Sequence, residues 1–221
     1  MATPLIILGA IGNCLDILDA ALATNASEDR PVYDLLGFLD DEPSRQGSKV
    51  RGLPILGPLT MAREMPNAQF INGIGSPRSF QYKRAIIDGL GLDRSRFATV
   101  IHPAAAVSPS ANIGCGTAVL ANCTICANAE LGDHVMMLPS CVLGHDARVG
   151  DHTILAAGVI VSGSVSIGQS CYLGANSCVR DSLRVGDEAL LGIGAVLVDD
   201  APAGMVMLGN PARKIKIKSR E

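Results

Sequence analysis

From Val107 onward every sixth residue is aliphatic or methionine: Val107, Ile113, Val119, Ile125, Leu131, Met137, Leu143, Val149, Leu155, Val161, Ile167, Leu173, Val179, Val185, Leu191 and Leu197. Two residues before many of these sits a small side chain, as at Ala105, Ala111, Thr117, Cys123, Ala129, Cys141, Ala147 and Thr153. A helix repeats its apolar face about every 3.6 residues and a half-buried strand about every 2. Neither sustains a period of six over sixteen positions, whereas a hexapeptide β-helix does. Three hexads close one triangular coil, and coils stack at strand spacing, about 4.8 Å. Residues eighteen apart then fall in one column, each one coil above the last.

A narrow prism has little room for large rings, and the composition agrees. Hydrophobic residues make up 48 % of the 221-residue chain, yet aromatics are 3 % and tryptophan is absent. The net charge of −3 gives no broad attraction to nucleic acid or to an anionic membrane. Several of the seven cysteines fall on small inward positions of the repeat. There Cys packs as a small hydrophobe, so they read as reduced thiols of a cytoplasmic protein. The opening run MATPLIILGAIG is apolar but short, and no Lys or Arg precedes Arg30. It reads as a first core strand, not as a signal peptide or a membrane span.

Residues 1–98 have another texture. PLIILG (4–9), LLGFLDD (35–41) and AQFINGIGS (68–76) read as short strands, and RGLPILGPL (51–59) as a short strand or a turn. NCLDILDAALA (13–23), with Leu15, Leu18 and Leu22 at helical spacing, and YKRAIIDGLGL (82–92) read as helices. This alternation predicts a small, Rossmann-like parallel α/β domain over 1–98, followed by the β-helix over 99–221.

Stacking needs only aliphatic and small residues, so polar chemistry inside the repeat stands out. His145 and Asp146 are adjacent, and Gly163 follows His145 by eighteen residues. The column rule puts an imidazole beside a backbone N–H that no side chain shields; a plain turn with an exposed ring is the other reading. His134 and His152 are also eighteen apart and form a second column, which raises a metal site built from histidines of successive coils. Such a site needs a third histidine, and the one remaining, His102, lies at the joint between the domains, so no metal is expected. In the first half, Gly9 and Gly12 punctuate a loop between a strand and a helix, the setting for a phosphate at a helix N-terminus. Asp40 and Asp41 end a strand, and GIGSPRS supplies Gly73, Gly75 and a cation, Arg78, suited to a phosphate.

The hexads, and the ordered set IILGAIGN, GFLDD, GLPILGPL, INGIGSPRS, RFATVIHPAA, GHDARVGD and GNPARKI, resemble the left-handed β-helix acyltransferases. Within them the chain is similar to the sugar acyltransferases of the sialic-acid O-acetyltransferase-like group, over essentially its full length. That group includes N-acetyltransferases acting on nucleotide-linked 4-amino sugars. The resemblance implies a homotrimer that uses acetyl-CoA, with His145 as general base, Asp146 orienting it and Gly163 supplying the amide that holds the thioester oxygen. It further implies a nucleotide sugar at Gly9, Gly12, Asn13, Asp40, Asp41, Gly75 and Arg78. The cofactor would meet Gly163, the C-terminal Gly209, Asn210, Pro211, Arg213 and Lys214, and the position nine residues after the catalytic histidine.

Two departures from the family pattern are visible. That ninth position, often histidine, is Ile154, with His152 a possible substitute, and the histidine common after the second glycine is Asn13. The sequence does not separate an amine acceptor from a hydroxyl one. O-acetylation, a carbonic-anhydrase-like metalloprotein and a non-catalytic trimeric scaffold remain as alternatives.

Overall fold

The computed structural model describes residues 2–215. Its first half is a five-stranded sheet. Strand β1 (Thr3–Leu8) lies between β2 (Tyr33–Leu39) and β5 (Gln69–Asn72), parallel to both, and β4 (Leu53–Gly57) continues the sheet beyond β2. Only the two-residue β3 (Lys49–Val50) runs antiparallel, at the edge. β1 is buried on both faces, with Leu5, Ile6, Ile7 and Leu8 at most 1 % exposed, which is why its sequence is a continuous apolar run.

Helix α1 (Asn13–Ser27) buries Cys14, Ile17, Leu18, Ala20 and Ala21. The sequence stripe of Leu15, Leu18 and Leu22 is therefore off by part of a turn, since Leu22 is 43 % exposed. Small residues let α1 lie close to the sheet: Cys14 packs directly against Gly9 and Gly73, where a β-carbon would collide with its sulfur. Helix α2 is short, Lys83–Gly89.

From residue 100 the chain winds into a prism with three parallel sheets. Face I holds the strands at 106–107, 124–125, 142–143, 160–161, 178–179 and 196–197; face II those at 112–113, 130–131, 148–149, 166–167 and 184–185. Face III holds 100–101, 118–119, 136–137, 154–155, 172–173 and 190–191, and is extended by Val206–Leu208 and the antiparallel Arg213–Ile215. Strands pair eighteen residues on, Val142 with Ile160 and Leu143 with Val161, as the repeat requires. The second residue of each strand points inward, so Leu143, Leu155, Val161 and Leu173 are fully buried; each contributes about 1.5–3 kcal/mol by burial.

The turns carry a second period of six that the hydrophobic pattern did not reveal. Gly116, Asn122, Asn128, His134, Ser140, Asp146, His152, Gly158, Ser164, Ser170, Asn176, Ser182, Glu188 and Gly194 all have φ between 51° and 72°. This left-handed conformation suits glycine and short polar residues, and is uncommon for a ring such as that of His134 or His152.

The outer side of face III is covered by the N-terminal unit. Ala118, Leu120, Met136 and Ile154 share one core with Leu5, Ile7, Cys14 and Ile17. All seven cysteines are free. Cys123 and Cys126 form a C-x-x-C spacing, but within one hexad, where Cys123 points into the prism beside Cys141 and Cys126 falls in the following turn.

Candidate active site

His145 and Asp146 occupy the corner between faces I and II, the edge of the prism opposite face III. The left-handed turn at Asp146 (φ 59°) brings its carboxylate back to the neighbouring ring, with His145 Nδ1 2.8 Å from Asp146 Oδ2. An ionised carboxylate only accepts, so Nδ1 carries the proton and Nε2 keeps a free lone pair. The other carboxylate oxygen accepts from Asn128 Nδ2 at 3.1 Å, one coil back in the same column. These bonds, that from His145 foremost, hold the Asp146 carboxyl below the usual range. Sequence reading missed Asn128; the column of left-handed turn residues is the signal that finds it.

Nε2 faces Gly163. A β-carbon there would lie 2.6 Å from Nε2 and 2.7 Å from Cε1, so only glycine fits above the ring. At the corner between faces II and III three of the equivalent backbone N–H groups are occupied: Cys115, Asp133 and Gln169 donate to Asp133, Asp151 and Asp187 one coil on. Among the described residues Gly163 N–H donates to no protein acceptor. A lone pair able to take a proton and an unclaimed N–H able to hold an oxygen thus lie side by side.

A second concavity, about 520 Å³, opens in the N-terminal unit and is lined by Gly9, Gly12, Asn13, Asp40, Asp41, Arg45, Gly73 and Gly75. Gly12 has φ 58° and directly precedes α1. Asn13 Nδ2 donates to Gly75 O at 3.0 Å, tying the glycine loop to the opposite wall. Asp40, 7 % exposed, accepts from Ala10 N at 2.9 Å and Glu42 N at 2.9 Å, and pairs with Arg45 at 3.1 Å. Asp41 accepts from Leu59 N at 2.8 Å. Both acids thus shape the cleft's backbone. The cation lining it is Arg45; Arg78 is exposed and is not among the lining residues.

Near the C-terminus, Gly209 O accepts from Val196 N and Ala212 N donates to Val196 O, closing the last coil around Asn210 and the cis-linked Pro211. Arg213 and Lys214 are exposed on the edge strand; Lys216, Lys218 and Arg220 lie outside the described residues.

His134 and His152 stack one above the other, as their eighteen-residue spacing predicts. His134 and His152 lie at the corner of faces II and III, their rings 5.0 Å apart and 11° from parallel, with Phe97 edge-on to His134 at 4.6 Å. Each is 7 % exposed, and burial lowers both pKa values, that of His134 to about 4. Among the described residues no group of three His, Cys, Asp or Glu could hold a metal. His152 is at a different corner from His145 and does not substitute at its site within the protomer. Ile154 is fully buried under Gly75, whose β-carbon would collide with its Cδ1, so it offers no surface to a cofactor.

No protein-family model and no curated protein sequence matches the chain. Solved structures do. The acetyltransferase domain of PglB from Neisseria gonorrhoeae FA1090 superimposes with a TM-score of 0.85 at 30 % identity, over 96 % of this chain and 100 % of that one. The chain belongs to the sialic-acid O-acetyltransferase-like sugar acetyltransferases. This acetyltransferase therefore has the left-handed β-helix its hexads predict. The same gonococcal domain is known in complex with acetyl coenzyme A (TM-score 0.84, 30 % identity, 97 % and 100 % coverage). PerB from Caulobacter crescentus, in complex with CoA and GDP-perosamine, matches at TM-score 0.79 and 28 % identity, over 96 % and 97 % of the two chains.

Proposed function

We infer that this acetyltransferase moves the acetyl group of acetyl-CoA onto the amine of a nucleotide-linked 4-amino-4,6-dideoxy sugar. The observation that carries the reading is the pairing of His145 Nε2 with Gly163, in a chain 30 % identical to a domain complexed with acetyl coenzyme A and 28 % identical to an enzyme complexed with CoA and GDP-perosamine. As the neutral amine attacks the thioester carbon, His145 Nε2 takes its proton, and Asp146 stabilises the imidazolium that forms. Gly163 N–H donates to the oxyanion. The C–S bond then breaks, the amide is complete, and the CoA thiolate takes up a proton. No acyl-enzyme is needed.

Residues 1–98, a Rossmann-like unit, would hold the nucleotide and sugar at Gly9, Gly12, Asn13, Asp40, Asp41 and Gly75, with Arg45 and Arg78 as cations near the diphosphate. Residues 99–221 would carry the chemistry, with Gly209, Asn210, Pro211, Arg213 and Lys214 beside the cofactor's nucleotide.

The enzyme would act as a homotrimer. Face I presents Ala106, Thr124, Val142, Ile160, Cys178 and Val196, while face II presents Asn112, Glu130, Arg148, Ser166 and Arg184. An apolar face with Ile160 43 % exposed supports burial against other copies. With face I turned to a three-fold axis, the face I–II corner of one protomer meets the face I–III corner of the next. In this reading the site is shared: His145 of one protomer works with the nucleotide-sugar cleft of a neighbour, since its own cleft lies over face III, across the prism.

The test is thiol release from acetyl-CoA with UDP-, GDP- and dTDP-linked 4-amino sugars. Turnover with one of them supports the reading. Acetyl-CoA binding without turnover of any amine would redirect it to a hydroxyl acceptor.

A further inference from the structure

Lys83 is the first residue of α2 and is 1 % exposed, among the largest fully buried side chains in the protein. A buried ammonium is costly unless it is well partnered, and Lys is seldom found so enclosed. Its one hydrogen-bond acceptor is the backbone carbonyl of His134, on the β-helix, and no carboxylate pairs with it among the described residues. Burial brings its pKa down to about 7. A methionine would fill the same space without the electrostatic penalty, so packing does not account for the amine.

Its location points to a task. The segment that leads into α2 forms one wall of the nucleotide-sugar cleft, through Gly73, Ile74, Gly75 and Ser76. Gly75 sits directly on Ile154 of face III, and Lys83 Cδ lies 3.9 Å from where a Gly75 β-carbon would be. The far side of the same glycine accepts from Asn13. The wall is thus held from the glycine loop on one side and, through Lys83, from the His134 turn on the other.

We propose that Lys83 is a positioning residue that pins the 73–76 wall of the cleft to the β-helix, and so fixes where the acceptor sugar is presented. The proposal rests on the cleft binding the nucleotide sugar; the pinning itself does not.

The experiment compares Lys83→Met with the wild-type enzyme by amide hydrogen exchange over residues 73–82 and by steady-state kinetics on the turned-over nucleotide sugar. Exchange in 73–82 is expected to accelerate about tenfold or more. The acceptor KM is expected to rise about 5- to 20-fold with kcat within about threefold, with no fall in melting temperature at neutral pH. Unchanged exchange overturns the pinning. Faster exchange with unchanged KM overturns its role in presenting the sugar. If the wild type binds none of UDP, GDP and dTDP, the functional reading of the cleft fails, while the exchange result still decides the pinning. Lys83→Gln, which keeps an N–H donor on a shorter stem, replaces the methionine variant if that does not fold.

Discussion

Gly163 lies directly over the imidazole of His145, one coil higher in the same column, with no room for a β-carbon above Nε2. Its backbone is in a region open to any residue, so the glycine is required by proximity and not by conformation. Gly163→Ala is therefore expected to push the ring aside and lower kcat about tenfold or more, with the coil intact. Thiol release alongside circular dichroism checks this.

Removing the proposed base should have a larger effect. His145→Ala should reduce turnover by about 10²- to 10⁴-fold. Asp146→Asn should cost less, because Asn128 still holds that side chain while the imidazolium loses its counter-charge. Equal rates for wild type and His145→Ala would refute the general-base assignment.

Asp40 serves the cleft by accepting from Ala10 and Glu42 and orienting Arg45. Asp40→Ala leaves two amides without their acceptor, one of them in the glycine loop. Nucleotide binding should weaken about tenfold and stability fall by about 1–3 kcal/mol, read by calorimetric titration and denaturant unfolding.

Stability should rise with pH in two windows. The His134 pKa drops from 6.5 to about 4 and that of Lys83 from 10.5 to about 7 on folding. In each interval the unfolded chain binds more protons than the folded one, so unfolding becomes less favourable as pH increases. Around these groups stand His152, Asp133, Asp151, Arg84 and Asp88. Lys83→Met should flatten the alkaline rise and His134→Phe the acid one, as followed by melting temperature from pH 4 to 10.

Face I is the surface on which assembly is proposed to depend. Ile160→Asp is expected to yield a smaller species by light scattering that still binds nucleotide but does not turn over. An active monomer would contradict the shared site.

The prism was legible in the sequence because its period of six belongs to no other regular structure, and the columns put Gly163 over His145 without further information. The N-terminal elements were legible as types. The face of α1 was not, because its contact side is set by small residues, Cys14, Ala20 and Ala21, and leucine spacing alone misled. Arg45, Lys83 and Asn128 escaped notice because each acts through a partner 5, 51 or 18 residues away. Arg78, singled out from its sequence neighbours, is exposed and lies outside the residues that line the cleft.

An architecture whose rungs are each eighteen residues long also defines its own unit of evolutionary change. Insertion or loss of one whole rung keeps every column in line and lengthens or shortens the molecule by about 4.8 Å. A length that is not a multiple of eighteen takes the following residues out of their columns. The span from the His145 turn to the closed end at Gly209 can thus be resized in discrete steps with Gly163 still directly over His145.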